Sequence, residues 1–428
     1  MQAASDLDEV RNSFHDTVAL ARNAPDRADP SWAGHTADAC RERVAEEAES
    51  ARKFAFELED VADTLRTVGR RLEFAKVAAE NAAVDIENDP HGLVVHDDWA
   101  VNISPMALIP TSETNSEKVR QAMIERQEQM DAAVRFLVDE DAACAQLVTE
   151  AMTRAANAGR RLDQAAAFER ATGRSPETPA DWLTASMLDP TSEAEKNQGV
   201  EATVVMGRIR PVPGQGVVTM DLYIPAYSVF NSPTDYDLGD SRGPTSDAEV
   251  GNARVELIVD YESGVVVARQ NPSISENGKV EVGTPDIRVQ QLTNGDVSIA
   301  YDAGNPLALN EGRPTHRVRG DIAISTEDGQ LVIGGSRSNY PAFEAYHHAN
   351  DGAVTTLVTD QAADPLGLAQ FGPLVGLPFS HTLGDPSLLR PFEDVAPIAD
   401  TVITTRPGST ALGKDTDDVV VTPIEPTR

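Results

Sequence analysis

The apolar residues of this chain change their spacing once, near residue 198, and no other feature limits its possible folds as strongly. Before that point they recur every three or four positions, the interval that gathers side chains on one face of a helix. After it they alternate, the interval that gathers them on one face of a strand. A chain of 428 residues with one such break reads as an α+β multidomain protein, helices first and a separately cored β domain second.

In the first part, Ser5-x-x-Asp8 has the form of a capping box, and Leu7, Val10, Phe14, Val18 and Ala21 follow at helical spacing. The helix is predicted to stop near Asn23, because Pro25 and Pro30 come next. Trp32-Ala33-Gly34 then leads into a long helix with a stripe of Cys40, Val44, Ala48, Ala51, Ala55, Leu58, Ala62, Leu65, Val68, Leu72 and Ala75. Its steps of three and four are those of a coiled-coil seam, and the alanines allow close approach. Residues 90–110 interrupt the pattern; Leu93–Val95 and Trp99–Ile103 flank Asp97-Asp98 as a short β-ribbon. Helix resumes near Ser116 and runs to about Ala171, with Val119, Met123, Met130, Val134, Leu137, Cys144, Leu147 and Ala151 as its buried face. Together these predict an antiparallel helical bundle over residues 1–178, with 179–199 as linker.

Residues 200–400 form the predicted β domain. Strands are expected at 217–224, 253–259, 264–270, 279–282, 286–291, 296–301, 319–325, 330–334, 342–348 and 353–359. Ser263-Gly264, Asn277-Gly278, Asn294-Gly295, Asp328-Gly329 and Asp351-Gly352 supply hairpin turns between them. A mostly antiparallel sandwich or a partial barrel both satisfy this pattern. The polar, Thr/Asp/Pro-rich residues 401–428 read as a disordered tail.

Acids outnumber bases 69 to 36, and the net charge of −33 divides almost evenly, −17 over residues 1–200 and −16 over the rest. An evenly acidic surface repels phosphate backbones and anionic lipid, so nucleic acid and membrane surfaces are excluded as partners. No apolar run reaches the ~18 residues of a membrane span, and the first residues lack the basic and apolar regions of a secretory signal. Cytoplasmic residence follows unless export uses a signal of another kind. Cys40 and Cys144, the only cysteines, fall on apolar helix faces and read as buried thiols. A bridge between them requires export and facing positions.

The Trp32-Ala33-Gly34 turn between two amphipathic helices resembles the Trp-X-Gly helical-hairpin proteins of type VII (ESX) secretion in actinobacteria. The resemblance implies that Trp32 and Gly34 form the turn joining two antiparallel helices. That family's export signal, Tyr-x-x-x-Asp/Glu, lies just beyond the second helix. Here Phe56-x-x-x-Asp60 sits within the helix, while Tyr236-x-x-x-Asp240 and Tyr340-x-x-x-Glu344 sit in the β half. Pro211–Val218, Asp237–Gly243, Asp260–Ser273, Val282–Pro285, Asn339–Pro341 and Leu377–Asp385 are similar to an uncharacterised mycobacterial and actinobacterial family, some of whose members are encoded near ESX loci. The resemblance implies a setting, a secreted or envelope-associated protein with a small Trp-X-Gly protein or secretion component as partner. It implies no reaction.

Among candidate sites, Asp235, Asp237 and Asp240, with Asp247 nearby, form the densest acidic loop and offer oxygen ligands for calcium. They lack the later bidentate Glu and the fixed loop length of an EF-hand, and a solvated acidic loop is the favoured reading. His347 and His348 end a strand, and His381 precedes Asp385 by four residues. A histidine oriented by a carboxylate could activate Ser380 or Ser338, the arrangement of a secreted hydrolase. No G-x-S-x-G elbow accompanies them. Pro213–Gly216 and Gly334–Ser336 do not open a helix and do not suit phosphate. Arg269–Pro272 and Asp240–Arg242 read as polar clusters that fix turns and bury charge pairs, while Asp260 and Glu262 flank a hairpin and carry no glycosidase spacing signal. The leading expectation is a non-enzymatic interaction protein; the alternative is an effector or hydrolase with its site at His347, His381 and Asp385.

Overall fold

A computed structural model describes residues 2–23, 34–105, 113–193, 197–231, 235–307, 317–327, 329–362, 371–392 and 408–426. The chain forms two compact units, residues 1–162 and 163–428, each containing helix, strand or both as the change of period predicts. The boundary lies inside a helix rather than at residue 178.

The first unit holds α1 (Gln2–Arg22), α2 (His35–Glu87), β1 (Leu93–Val95), β2 (Val101–Ile103) and most of α3 (Glu113–Thr172). Contacts between α1 and α2 run in opposite directions: Arg11 meets Glu59 at 3.2 Å, and the Phe14 and Phe54 rings are 5.6 Å apart. Arg71 meets Glu140 at 2.8 Å and Asp89 meets Arg126 at 3.0 Å, so α2 and α3 are antiparallel as well. The seam is alanine-rich as expected, with Ala48, Ala55, Ala62 and Ala75 buried. Leu147 is a correction: it is 38% exposed, while Cys144 and Ala151 on either side are buried. The ribbon β1–β2 forms in antiparallel register, and Leu93 and Val101 pack with Ala79, Ile86 and Met130. Trp32 lies outside the described residues. Gly34 caps the start of α2 at φ 104°, a left-handed conformation that asks for glycine although a Cβ there would meet nothing within 4 Å. Cys144 is buried and free; the side chain of Cys40 lies outside those described.

In the second unit the expected linker is folded. Thr178 caps α4 (Pro179–Leu188) in a reciprocal capping box with Asp181, and Pro179 suits the first turn. The end of α3 contributes Ala167, Phe168 and Ala171 to a cluster with Ala185 and Leu188 of α4. The strands follow as β3 (Thr203–Arg208), β4 (Val217–Tyr223), β5 (Ser228–Asn231), β6 (Asp235–Leu238), β7 (Val255–Asp260), β8 (Val265–Gln270), β9 (Ser273–Ile274) and β10 (Val280–Glu281). Then come β11 (Asp286–Gln291), β12 (Val297–Gly304), β13 (Arg317–Glu327), β14 (Gln330–Ser338), β15 (Ala342–His348) and β16 (Val354–Asp360). The short α5 (Gly372–Gly376), β17 (Ser380–Gly384) and β18 (Thr410–Ala411) complete the order.

Two six-stranded antiparallel sheets dominate, in the orders β16-β15-β4-β7-β8-β3 and β17-β14-β13-β12-β11-β18. Alternation decides what each strand buries. Val218, Met220 and Leu222 of β4 and Val255, Leu257 and Val259 of β7 join one apolar cluster with Ile287, Val289, Ile299, Tyr301 and Ile322 of the other sheet. The glycines of all five expected turns have positive φ. The tail is the second correction. Within 408–426, β18 pairs with β11, Met206 and Arg208 form bridges with Gly413 and Val420, and Val421 is 1% exposed. Gly207 leaves the room this needs, since a Cβ there would lie 2.6 Å from Leu412. Polar composition did not prevent order because backbone pairing and a few apolar anchors suffice. Among the described residues, no helix is long and apolar enough to cross a membrane.

Candidate functional site

Antiparallel pairing of β14 with β17 sets Arg337 opposite His381 and Ser338 opposite Ser380. Arg337 Nε and His381 Nε2 both lie 2.6 Å from Asp360 Oδ2, at the end of β16. His381 Nδ1 lies 2.7 Å from Asn339 Oδ1. The carboxylate beside His381 is therefore Asp360 rather than Asp385. Asp385 is exposed and accepts the Ser387 N–H at 2.8 Å, which holds its carboxyl below the usual range. Neither ring nitrogen of His381 faces a serine hydroxyl, and Ser338 Oγ donates to the Tyr340 carbonyl at 2.8 Å. His347 lies elsewhere, its Nε2 2.9 Å from the Gln215 carbonyl, and none of His347, His381 and Asp385 is hydrogen-bonded to another. His348 Nε2 is 3.1 Å from Thr219 Oγ1; burial, then neighbouring His347, pushes its pKa down. A base joined to its nucleophile, which acyl transfer needs, is not assembled by these residues.

The acidic loop turns inward. Asp237 is buried and accepts Arg254 Nη2 at 3.0 Å; Asp240 accepts the Ile224 N–H at 2.7 Å and lies 4.0 Å from Arg254. The side chain of Asp235 lies outside those described, and Asp247 is exposed. Calcium's expected ligands thus have a guanidinium as counter-charge. Among the described residues no group of three or more His, Cys, Asp or Glu gathers around a common point for a metal. Asp260 accepts Thr184 Oγ1 at 3.1 Å and the Ser263 N–H at 2.8 Å, while Glu262 accepts from Gly214 and Gly216, so both carboxylates fix turns.

An arrangement that no local motif announces crosses the face of the first sheet away from the shared core. Register places Arg269 beside Glu256, Glu256 beside Asp221, and Asp221 beside Glu344 on four neighbouring strands. Glu256 and Glu344 are buried, at 2% and 0%. Arg242 closes over the row: it pairs with Glu344, approaches Asp221 to 3.2 Å and lies 4.0 Å above the Tyr223 ring. Glu344 also accepts the Thr245 N–H and the Tyr346 hydroxyl, each at 2.8 Å. Burial first, then the adjacent Glu256 charge, pushes the Asp221 pKa well up, and burial raises Glu256 too. The row pins residues 242–251 onto the sheet, because Gly251 N–H also donates to Glu256 at 2.8 Å.

The helical unit offers a different feature. Phe56, Phe74, Val77 and Val84 of α2 are 40–68% exposed and fall on one stripe, separated by 18, 3 and 7 residues. On α3, Ile124, Val138 and Met152 are exposed at intervals of 14 residues, two heptads each. Phe74 and Phe136 stack edge to face, 6.4 Å between centroids, though both remain exposed. These stripes lie apart from the alanine seam, and a sequence search aimed only at buried faces passes over them. In comparisons with known proteins, the chain matches no family model and no curated protein.

Proposed function

We propose that this is a non-enzymatic binding protein in which a helical bundle engages a helical partner and a β-sandwich serves as an interaction or envelope-facing module. The observation that carries this reading is the exposed Phe74–Phe136 pair between α2 and α3, with Val77 and Val84 exposed along α2 beside it. Large apolar side chains are expensive to leave in water, and exposed ones that touch one another, as Phe74 and Phe136 do, mark an interaction surface. Spacings of three and seven on α2 (74, 77, 84) and of fourteen on α3 (124, 138, 152) fit another helix rather than a strand or a loop, because only a helix keeps such positions near one face over several turns. The sandwich reading is supported by the single apolar cluster to which both six-stranded sheets contribute.

The setting we propose is type VII secretion, with export to the envelope or beyond; it rests on the resemblance of Trp32-Ala33-Gly34 and of the carboxyl-half segments. The partner is then a small Trp-X-Gly hairpin protein of the same cell. Co-expressed with such a protein, the full chain should co-elute with it on size exclusion. Phe74→Glu combined with Phe136→Glu should abolish co-elution without changing the helical circular dichroism. Co-elution that survives both substitutions, or a chain that remains a monomer beside every Trp-X-Gly protein of its host, overturns the reading. Fractionation with and without a working ESX system tests the location separately, and unchanged distribution contradicts export by that route.

A further inference from the structure

A cavity of about 30 Å³ lies between α4, the outer face of the first large sheet and the segment 245–250. Leu183 and Met187, one turn apart on α4, give it one apolar wall, and Ala248 and Val250 give it another. Its floor is the sheet, and Asp221 of β4 lines it. The carboxylates in that part of the sheet outnumber their guanidiniums by three to two. Glu344 pairs with Arg242 and is wholly buried. Glu256 lies 3.7 Å from Arg269, accepts Asn271 Nδ2 at 2.7 Å and is 2% exposed. Asp221 has only the other nitrogen of Arg242, at 3.2 Å, and its side chain is 17% exposed. The uncompensated charge of the row therefore falls on the carboxylate that opens to the cavity.

We propose that this cavity binds a small primary alkylamine as its ammonium ion. One polar contact is required, from the ammonium N–H groups to Asp221, and a charged pair of this kind balances the row. The carbon atoms lie against Leu183, Met187 and Val250. A space that holds two or three atoms of water size limits them to one or two. Nothing else that faces Asp221 supplies a cation in place of the ligand. Glu256, Glu344 and Asp240 are acidic, the α4 wall is apolar, and Asp247 and Glu249 on the covering segment are exposed acids. On β15, Tyr346 donates to Glu344, and burial pushes the His348 pKa down, which keeps that ring neutral. Burial first, then Glu256, raises the Asp221 pKa, so uptake of the ammonium ion displaces a proton from its carboxyl.

The test is calorimetric titration of the full chain with ethylammonium chloride, with ethanol and with potassium chloride, all at one ionic strength. Ethylammonium should bind saturably in the millimolar range at about pH 8, and ethanol and potassium at least tenfold more weakly. Binding should weaken from about pH 8 to about pH 5 as Asp221 takes up its proton, and buffers of different ionisation enthalpy should report proton release. Asp221→Asn keeps the shape and removes the charge, so it should cut binding at least tenfold and abolish the pH dependence. Ala248→Leu keeps the charge and fills the space, and should cut binding by a similar factor. Thermal midpoints close to the parent's show that both variants fold. Potassium binding equal to that of ethylammonium reports attraction to the acidic surface alone and overturns the proposal. Ethylammonium binding by folded Asp221→Asn or Ala248→Leu equal to that of the parent overturns it as well.

Discussion

In the helical unit, many charged pairs lie outside and one turn apart, as Arg52 with Glu49 and Arg120 with Glu117, and those that link elements, such as Arg11–Glu59 and Arg71–Glu140, are also part-exposed. In the β unit, the side chains of Arg269, Arg337 and Glu344 are wholly buried and tie strands, turns and α4's flanking segment together. The same acidic composition therefore serves two physical ends. Exposed pairs contribute little and leave the helix surface free to meet something else, whereas buried pairs specify a framework and are intolerant of change. The interaction surface belongs with the first kind of region. The polar chemistry of the second is largely occupied in holding its own fold.

Charge deletion should separate the units most sharply. Arg269→Ala takes the counter-charge from buried Glu256 and the donor from Asn271 and the carbonyls of Asp189 and Ser192, so a loss of about 3–5 kcal/mol is expected. Urea unfolding followed by Trp182, in a background with Trp32 and Trp99 replaced by Phe, reads the β unit alone. Next comes the alanine seam. Ala75→Leu adds volume at a position 0% exposed and should cost about 1–3 kcal/mol, read through Trp99 in the complementary background. If the seam were loosely packed, the extra methyl groups would be accommodated at no cost.

The pH response sharpens the comparison in another way. Asp221 and Glu256 have folded pKa values above their unfolded ones, so their contribution is full below about pH 4 and is lost as pH rises through the raised values. Asp181 has the opposite sign. Burial pushes it up, but Arg174 and the N–H groups of Thr178 and Glu177 outweigh burial and hold it at about 2; its contribution is present above pH 4 and lost as pH falls toward 2. Asp221→Asn should flatten the decline on the alkaline side and leave the acid limb unchanged, as measured by thermal midpoints across pH. The smallest effect is expected from Arg154→Ala, whose side chain is 51% exposed beside Glu57 and Asp60: no change in the unfolding midpoint beyond the scatter of the measurement. A loss approaching that of Arg269→Ala would erase the distinction between the units.

What could be read from the chain alone follows the same division. Helix spans and the alternating strands 217–224 and 286–291 were legible because one face is the more deeply buried at a fixed period. β3 was not, since Val204, Val205 and Met206 run together with apolar surroundings on both sides and leave no alternation to see. β18 owes its existence to pairing with β11, more than 100 residues earlier in the chain. At the candidate site, proximity in sequence suggested Asp385 for His381, while strand pairing and the return of β16 supplied Asp360. The Arg269–Glu256–Asp221–Glu344 row depends on the register of four strands, and nothing local in the chain encodes that order.

Hydrogen exchange on the complex with a small Trp-X-Gly protein, compared with the free chain, tests the central claim most directly. Slowed exchange should appear in α2 around residues 56–84 and in α3 around 124–152, with the β unit unchanged. Protection confined to the β unit, with both helices exchanging as in the free chain, would contradict it.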